Sequence, residues 1–289
     1  MAKTRSVSNW GKWGKTDRRG ALNYLTPEVV ARASAVVKKG KVYHLGLPID
    51  KHLPLSKSQN PPFYKATKSP RGTPDGLTAT TDLIAFELHG TGTHMDGLGH
   101  YFYGDQFYNG FPASAFTNSG SADVGLERVG AIVARGVLLD LRAKVGDLAM
   151  PGHPITAAEM QVCAKAEGVE IRQGDVLLLY TGWLEAYLAG KATMEHQPGP
   201  SASSVPWLRQ KGIVAVGGDF NTMDVRPYED PKQPAAFHKY FIRDVGGYAF
   251  EDVVLHELAR DRAYECLFVV APLLVTGATG GPVNPVAVV

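Results

Sequence analysis

The sequence predicts an α/β fold with a mixed β-sheet, and three apolar runs are the main evidence for it. Residues 132–139, 176–180 and 213–216 have the length and composition of buried strands. Helix signals lie between them, and Thr156 and Glu159 have the spacing of a capping box. Strands that alternate with helices are typical of α/β proteins. No internal repeat and no shift in composition marks a domain boundary, so one domain is expected.

The start of the chain predicts an N-terminal arm followed by a helix. Thr26 and Pro27 form a good helix start, because threonine caps free N–H groups and proline fits the first turn. The helix is expected to end at Gly40, and a strand is expected over 42–47. Trp13 in the arm is a candidate substrate contact, although an aromatic side chain in such a segment more often packs against its own chain.

The segment 48–71 is rich in proline, serine and lysine and has no clear periodicity. Such a loop is either disordered or shapes a site, and Phe63 and Tyr64 within it favour the second alternative. Phe63 is therefore a candidate substrate contact. Residues 83–88 predict a short apolar strand, and polar residues that follow a strand end often form a site.

Composition limits the classes of function. The 289 residues include 30 basic and 28 acidic side chains, and this balance gives no support for nucleic-acid or membrane binding. No apolar run has the length of a membrane span, and the N-terminus lacks the apolar core of a secretory signal. The two cysteines, Cys163 and Cys266, suit a reducing compartment. We therefore expect a cytoplasmic protein that acts on a small molecule.

The segment 89–100 is the most informative stretch, with three histidines, one aspartate, four glycines and two threonines. Imidazole and carboxylate are the usual ligands of zinc, manganese and iron, and glycine lets the backbone approach an ion closely. His94 and Asp96 are two residues apart, so an extended backbone points both side chains the same way. His100 can return through a glycine-rich turn, either as a ligand or as a general acid/base. A lone histidine on a loop is more often solvated, so the cluster carries the prediction.

An aromatic run, Tyr101-Phe102-Tyr103, follows the histidine cluster directly. It predicts a loop or hairpin beside the site. Its side chains either pack at the edge of the fold or form an apolar wall for a flat substrate. Tyr101 and Phe102 are therefore candidate substrate contacts.

The histidine cluster also resembles the motif of the cyclase family of metal-dependent hydrolases, which includes bacterial kynurenine formamidases and isatin hydrolases. The family motif is His-x-Gly-Thr-His-x-Asp-x-Pro-x-His, and the chain matches it in register at Gly92-Thr93-His94-x-Asp96 and at His100. The likeness extends through most of the chain and is weakest from 111 to 205. It implies a single domain over residues 1–289 of the swivelling β/β/α type, in which residues 1–40 form the N-terminal arm and helix.

Two positions depart from the family motif. Gly90 stands at its first histidine, with His89 one residue early, and Leu98 stands at its proline. His89 is a candidate for the missing ligand if a local bulge brings it inward.

The resemblance implies that a late histidine and a glutamate complete the metal site, and the matching residues are His238 and Glu251. Taken alone, these two residues are interpreted more simply as a helix residue and a surface acid. With the resemblance, both are expected to be ligands together with His94 and Asp96, and His89 is a weaker candidate. Two histidines and two carboxylates suit manganese or zinc, with iron as an alternative. The histidine missing from the motif favours one ion over two.

These features predict a metal-dependent hydrolase of an amide, a lactam or a related aryl or cyclic carbonyl compound. The metal would activate a water molecule, and His100 would shuttle a proton to the leaving group. Two alternatives stay open: a metal-dependent cyclase, lyase or dehydratase on a small carbonyl substrate, and a non-catalytic binding protein that has lost a ligand. A homo-oligomer, either a dimer or a tetramer, is expected because the arm and the 48–71 loop are too apolar to lie free.

Overall fold

Strands and helices alternate through the computed structural model, which describes residues 7–57, 59–145 and 152–289. The strands in these ranges are β1 (Val42–His44), β2 (Phe63–Pro70), β3 (Thr78–Ala85), β4 (His94–Asp96), β5 (Phe116–Thr117), β6 (Gly120–Ser121), β7 (Ile132–Asp140), β8 (Pro154–Ile155), β9 (Val176–Tyr180), β10 (Gly199–Pro200), β11 (Ala215–Gly218), β12 (Tyr248–Glu251), β13 (Glu265–Val270), β14 (Gly280–Pro282) and β15 (Val286–Val288). The helices there are α1 (Pro27–Ser34), α2 (Leu141–Val145), α3 (Ala157–Glu167), α4 (Trp183–Leu188), α5 (Val205–Lys211), α6 (Ala236–His238) and α7 (His256–Arg260). α6 continues as a π-helix over Lys239–Val245, and 3-10 turns cover Gly20–Tyr24, Tyr108–Gly110, Ala113–Ala115, Leu126–Arg128 and Ala202–Ser204.

One sheet of nine strands forms the centre of the molecule, in the order β1-β15-β13-β7-β9-β11-β12-β4-β14. The middle pairs β7–β9, β9–β11 and β11–β12 are parallel. The pairs on either side of them are antiparallel. The sheet is therefore mixed, and the predicted α/β class is confirmed. This order puts β4 between β12 and β14, near one edge.

The three predicted buried strands form the interior of this sheet. They correspond to β7, β9 and β11, and every residue of β9 and β11 is buried. Strands that are covered on both faces need apolar side chains at successive positions, which explains why their sequences do not alternate. Helix α3 packs against β7 and buries Met160, Cys163 and Ala164. Each large aliphatic side chain buried in this way contributes about 1.5–3 kcal/mol relative to an exposed one.

The predicted capping box at the start of α3 is confirmed. The Thr156 hydroxyl accepts a hydrogen bond from the N–H of Glu159, and the Glu159 carboxylate accepts one from the N–H of Thr156 at 2.7 Å. These two bonds satisfy donors that the helix itself leaves free.

Two predicted boundaries near the start of the chain are wrong. Helix α1 begins after Thr26 as predicted but ends at Ser34, because the N–H groups of Val36 and Val37 bond carbonyls only three residues back. Such tighter turns end a helix. Strand β1 stops at His44, since its partner β15 pairs with it over three residues only.

The predicted loop over 48–71 and the predicted strand over 83–88 are also wrong in part, because together they contribute a β-hairpin. β2 pairs with β3 in antiparallel register from Phe63–Ala85 to Pro70–Thr78. In the described residues these two strands pair only with each other. The threonine-rich first half of β3 lies before the apolar residues on which the prediction of a strand over 83–88 rested. Threonine is β-branched and favours strands without any apolar alternation.

The N-terminal arm packs against its own chain. Trp10 Nε1 donates to the carbonyl of Arg243 at 2.9 Å, and the Trp13 ring packs edge-on against Tyr24 with centroids 5.0 Å apart. Residues 1–6 of the predicted arm and Ser58 of the predicted 48–71 loop lie outside the described residues.

Two further observations concern the cysteines and the length of the helices. Cys163 and Cys266 are both buried, and neither forms a disulfide bond within the part of the chain that the structure describes. Within the ranges that the structure describes, no helix combines the length and the apolar character needed to cross a membrane.

Candidate metal centre

The central sheet brings three predicted ligands to one face. β4 carries His94 and Asp96, whose side chains point the same way because they are two residues apart. β12 runs antiparallel beside β4, and its residue Glu251 pairs directly with His94. Directly opposed residues of neighbouring strands share a face of the sheet, so Glu251 points to the same side. All three side chains are buried.

His238 approaches the same point from the end of α6. The carboxylate of Asp224 orients it: one oxygen accepts from the N–H of Phe237 at 2.8 Å, and the other accepts from His238 Nδ1. A carboxylate that accepts from one ring nitrogen fixes the tautomer and leaves the other nitrogen with its lone pair. Nε2 of His238 is therefore the nitrogen that faces the centre.

Four of the predicted ligands converge. His238 Nε2 lies 3.1 Å from Glu251 Oε1 and 3.4 Å from Asp96 Oδ2. His94 Nε2 lies 3.1 Å from Glu251 Oε2 and 3.8 Å from Asp96 Oδ1. His94, Asp96 and Glu251 offer ligand atoms that all lie within 4.8 Å of one another, and His238 adjoins this set through Glu251 and Asp96. Such a set suits one ion at about 2.0–2.3 Å from each ligand atom. We call His94, Asp96, His238 and Glu251 the inner group; that they ligate a metal remains a prediction.

The backbone fixes which nitrogen of His94 faces the centre, as Asp224 does for His238. Nδ1 of His94 lies 2.9 Å from the carbonyl of Gly92, and it must donate because a carbonyl only accepts. Nε2 is therefore the nitrogen available to an ion, and it faces the N–H of Gly90 at 3.1 Å as well as the carboxylates. Gly90 and Gly92 have φ of 73° and 60°, a left-handed conformation that lets the backbone curve around the ring.

The inner group holds positive charge strongly. Burial disfavours charge on each member, but the carboxylates of Glu251 and Asp96 outweigh it and raise the pKa of His94 to about 10. Burial opposes charge on His238 too, and the carboxylate of Asp224 does most to raise its pKa well above the ordinary value. The neighbouring histidines in turn overcome burial and lower the pKa of Asp96 and of Glu251. A divalent ion competes with protons for the same lone pairs. A set of side chains that holds protons this strongly therefore also suits a divalent ion.

One buried atom gives independent support for a metal. Among the described residues, Asp96 Oδ2 has no hydrogen-bond partner, although Asp96 is 1% exposed. A buried polar atom without a partner costs about 1–3 kcal/mol, and more when it is charged. An ion held by the inner group would satisfy this oxygen, so the residues fit the predicted divalent metal.

His89 and His100 lie on the outer side of Asp96. His89 Nδ1 is 2.8 Å and His100 Nε2 is 3.8 Å from Asp96 Oδ1, and the two rings stack with centroids 3.8 Å apart. Their side chains are 28% and 24% exposed. Burial lowers the pKa of His100 to about 3, so its ring is neutral at pH 7. We call these two residues the outer pair.

Tyr101 and Phe102, two of the predicted substrate contacts, differ in their surroundings. The Tyr101 ring lies 4.5 Å from that of His100 and 4.7 Å from that of His238, at the border of the centre. Phe102 is 50% exposed and packs edge-on against Phe107. Their contacts with substrate remain predictions.

The other two predicted substrate contacts, Phe63 and Trp13, lie on separate elements. Phe63 is on the hairpin strand β2 and is 55% exposed. Trp13 packs against Tyr24, as the packing alternative expects. The structure thus gives Tyr101, rather than Phe63 or Trp13, a ring contact with the predicted metal and proton-transfer residues.

Sequence reasoning missed two buried aspartates beside the centre. Asp224 orients His238, and Asp252 accepts from Asn221 Nδ2 at 2.9 Å while its carbonyl accepts from the Thr93 hydroxyl at 2.6 Å. Burial raises the pKa of Asp252 to about 8. Both follow the carboxyl ends of parallel strands, where sites in α/β proteins commonly form, and this position is the signal that could have identified them.

Comparison with known proteins identifies the family. The family model described as "Putative cyclase" matches residues 43–225, which is more than half of the chain. Isatin hydrolase from Roseibium aggregatum is 25% identical over 243 residues, covering 82% of this chain and 85% of that protein.

Solved structures show the same fold. A crystal structure of a novel cyclase is 32% identical with a TM-score of 0.89, over 98% of this chain and 97% of the other. An isatin hydrolase bound to thioisatinate, a product analogue, is 21% identical with a TM-score of 0.64, over 86% of this chain and 92% of the other, and its likeness concerns the fold alone. The resemblance found in the sequence is confirmed, and the chain belongs to the cyclase family that the matching model describes.

Proposed function

We propose that the protein is a metal-dependent hydrolase of an amide, a lactam or a related aryl or cyclic carbonyl compound. The inner group carries the proposal: two ring nitrogens and two carboxylates meet at a buried point where Asp96 Oδ2 has no hydrogen bond. Similarity to a protein named isatin hydrolase favours hydrolysis over the other reactions of small carbonyl compounds.

Manganese or zinc is the proposed cofactor, with iron as an alternative. Such an ion, when bound, supplies Lewis acidity that polarises a carbonyl group and makes water nucleophilic at neutral pH. His94, Asp96, His238 and Glu251 would hold it. Asp224 keeps His238 in the tautomer that presents Nε2, and loss of such an outer-shell partner typically lowers metal affinity by about 10–100-fold.

His100 is the proposed proton carrier. Its Nε2 borders the inner group at 3.8 Å from Asp96, and the exposed quarter of its side chain leaves room for contact with substrate. The neutral ring takes a proton from the attacking water and returns it to the leaving nitrogen. The C–N bond breaks, the hydroxyl of water stays on the carbonyl carbon, and the nitrogen leaves with the transferred proton.

Tyr101 is the proposed wall of the substrate pocket. Its ring contacts both His100 and His238, so a flat substrate packed on it would have its carbonyl near the inner group. The exposed Phe102 is proposed to cover the other end of such a substrate. Phe63 and Trp13 stay weaker candidates for this role, because neither has a ring contact with the centre like those of Tyr101.

The test is a product analysis on purified protein with isatins, formanilides and lactones, before and after metal removal. We expect turnover that chelation abolishes and added metal restores, with a product heavier by one water. A product lighter by one water would contradict hydrolysis and support the lyase alternative. Bound metal without turnover of any member of these classes would support a binding protein.

We further propose a homo-oligomer, a dimer or a tetramer, formed through the β2–β3 hairpin. Its apolar side chains Phe63, Tyr64, Leu83 and Ile84 are 44–62% exposed. A two-stranded hairpin without a covered face is only marginally stable in water, so a partner surface is expected. In light scattering, a Leu83→Ser/Ile84→Ser variant should be smaller than the wild type, while Val162→Ser on the exposed face of α3 should not. A wild type that is monomeric at micromolar concentration would contradict this proposal.

A further inference from the structure

Position 90, where the family motif has a histidine, is a glycine with φ of 73°, a left-handed conformation in which a side chain is strained. A Cβ added to Gly90 would lie 1.5 Å from Gln59 Nε2. The Gln59 amide is fixed there, because its nitrogen donates to the carbonyl of His89 at 2.9 Å and its oxygen accepts from the N–H of Ser56 at 2.7 Å. At this end of the segment, the imidazole beside Asp96 is that of His89.

The ring of His89 occupies a slot with a partner at each nitrogen. Nδ1 lies 2.8 Å from Asp96 Oδ1, and Nε2 lies 2.9 Å from the Thr279 hydroxyl. Gly280 forms the floor, since a Cβ there would lie 2.3 Å from Cε1 of the ring. The opposite face stacks on His100 with an interplanar angle of 14°.

Hydrogen-bond chemistry assigns the two nitrogens of His89. The Asp96 carboxylate only accepts, so Nδ1 carries the hydrogen. Nε2 then has the lone pair, which accepts from the Thr279 hydroxyl. In His89 the nitrogen that faces Asp96 therefore carries the hydrogen, whereas His94 and His238 donate through Nδ1 and turn Nε2 toward the carboxylates. A histidine ligand needs its lone pair on the nitrogen that faces the ion.

The hydrogen bond from His89 also gives the two oxygens of Asp96 different surroundings. Oδ1 accepts from His89, whereas Oδ2 is buried without a hydrogen bond and faces His238 Nε2 at 3.4 Å. The bond to His89 thus fixes the carboxylate with its free oxygen turned toward the inner group.

We propose that His89 is a positioning residue rather than a metal ligand, and that the centre binds a single ion held by His94, Asp96, His238 and Glu251. This inference rests on the proposed function only in that the centre binds a divalent ion. The competing arrangement is a second ion among His89, Asp96 and His100, whose nitrogen and oxygen atoms lie within 4.8 Å of one another.

Metal binding tests the inference without any substrate. Metal-free wild type and His89→Ala are each titrated with Mn²⁺ in a calorimeter. We expect one equivalent for both, with the affinity of the variant weaker by about 10–100-fold, as for other outer-shell partners. Pulsed electron paramagnetic resonance of the Mn²⁺ forms should detect two coordinated imidazoles in both proteins.

Variants of the slot separate the role of His89 from a general effect on folding. Mn²⁺ binding is compared in variants of Thr279, whose hydroxyl contacts Nε2 of His89. Thr279→Val should weaken it in the same direction as His89→Ala, and Thr279→Ser, which keeps the hydroxyl, should restore it. Thermal unfolding of the metal-free forms is measured in parallel. A merely structural role would lower Tm, but the Mn²⁺ affinity would then not fall in Thr279→Val and recover in Thr279→Ser.

The outcomes are distinguishable. Two equivalents in the wild type and one in His89→Ala, or three coordinated imidazoles that become two, would overturn the inference and leave the proposed function standing. An unchanged Mn²⁺ affinity in His89→Ala would overturn the positioning role. A wild type that binds neither Mn²⁺ nor Zn²⁺ would overturn the inference and the proposed function together.

Discussion

The inner group and the outer pair share Asp96 but differ in what holds their histidines and in how far water reaches them. His94 and His238 are 2% and 3% exposed, and each donates through Nδ1 to an oxygen that can only accept. His89 and His100 are 28% and 24% exposed and stack on each other. The difference teaches that the surroundings of each ring decide its role: a buried Nε2 beside carboxylates suits an ion, whereas the partly exposed, neutral ring of His100 suits proton transfer.

The largest expected effect comes from breaking the inner group. His94→Ala should lose bound metal and activity together, with a loss of metal affinity greater than the roughly 10–100-fold of an outer-shell partner. Elemental analysis and turnover measure the two effects, and His256→Ala, which removes an exposed histidine on α7, is the matched control. Retention of stoichiometric metal in His94→Ala would show that the inner group is not the ligand set.

The outer pair should respond differently to the same kind of change. His100→Ala should keep its metal, while activity falls by about a hundredfold to ten-thousandfold, the usual contribution of one general acid/base. Metal analysis and kcat on the same preparation separate the two roles. Loss of metal would instead make His100 a ligand, and a near wild-type kcat across pH would exclude proton transfer by it.

The members of the inner group differ in how far the sequence could predict them. His94 and Asp96 were predictable from spacing alone, because the two-residue period of a strand is local. Glu251 meets them through the pairing of β12 with β4, which are separated by more than 150 residues, and no local pattern determines that pairing. Glu251 and His238 were identified through the family resemblance only.

The same reason explains the fold elements that were predicted well and badly. The buried strands β7, β9 and β11 are apolar at successive positions, so composition alone identified them. The hairpin of β2 and β3 exposes both faces, so no apolar pattern marked it. Asp224 escaped prediction because its role depends on the side chain of His238, which only the folded chain brings within reach.

A smaller effect is expected from the carboxylate behind the inner group. Asp224→Asn keeps the size of the side chain but removes the charge that fixes the tautomer of His238, so Mn²⁺ affinity should fall by about 10–100-fold. Calorimetric titration measures the change, and Asp230→Asn, on the exposed stretch that follows, is the control. Equal affinities in the two variants would show that Asp224 caps α6 without orienting the ligand.

A further effect is a pH dependence that only the inner group should show. In the metal-free protein the carboxylates of Glu251 and Asp96 outweigh burial and raise the pKa of His94 to about 10, so an ion that binds at pH 7 must displace a proton. The proton is held below that pKa, and metal affinity is therefore lost as pH falls. Each displaced proton changes Kd by about tenfold per pH unit.

The outer pair supplies the contrast that makes this prediction sharp. Burial lowers the pKa of His100 to about 3, so its ring is unprotonated from pH 6 upward and adds nothing to the slope. His238, whose pKa is also raised, adds up to one further proton. Calorimetric Mn²⁺ titrations between about pH 6.5 and 8.5, in buffers of different ionisation enthalpy, should therefore count one to two protons released per ion in the wild type and the same number in His100→Ala. The carboxylates of the inner group have lowered pKa values and stay ionised over this pH range, so they release no protons when the ion binds. A metal affinity independent of pH would therefore mean that neither Nε2 holds a proton before the ion arrives. In that case the charge argument for the inner group would fail.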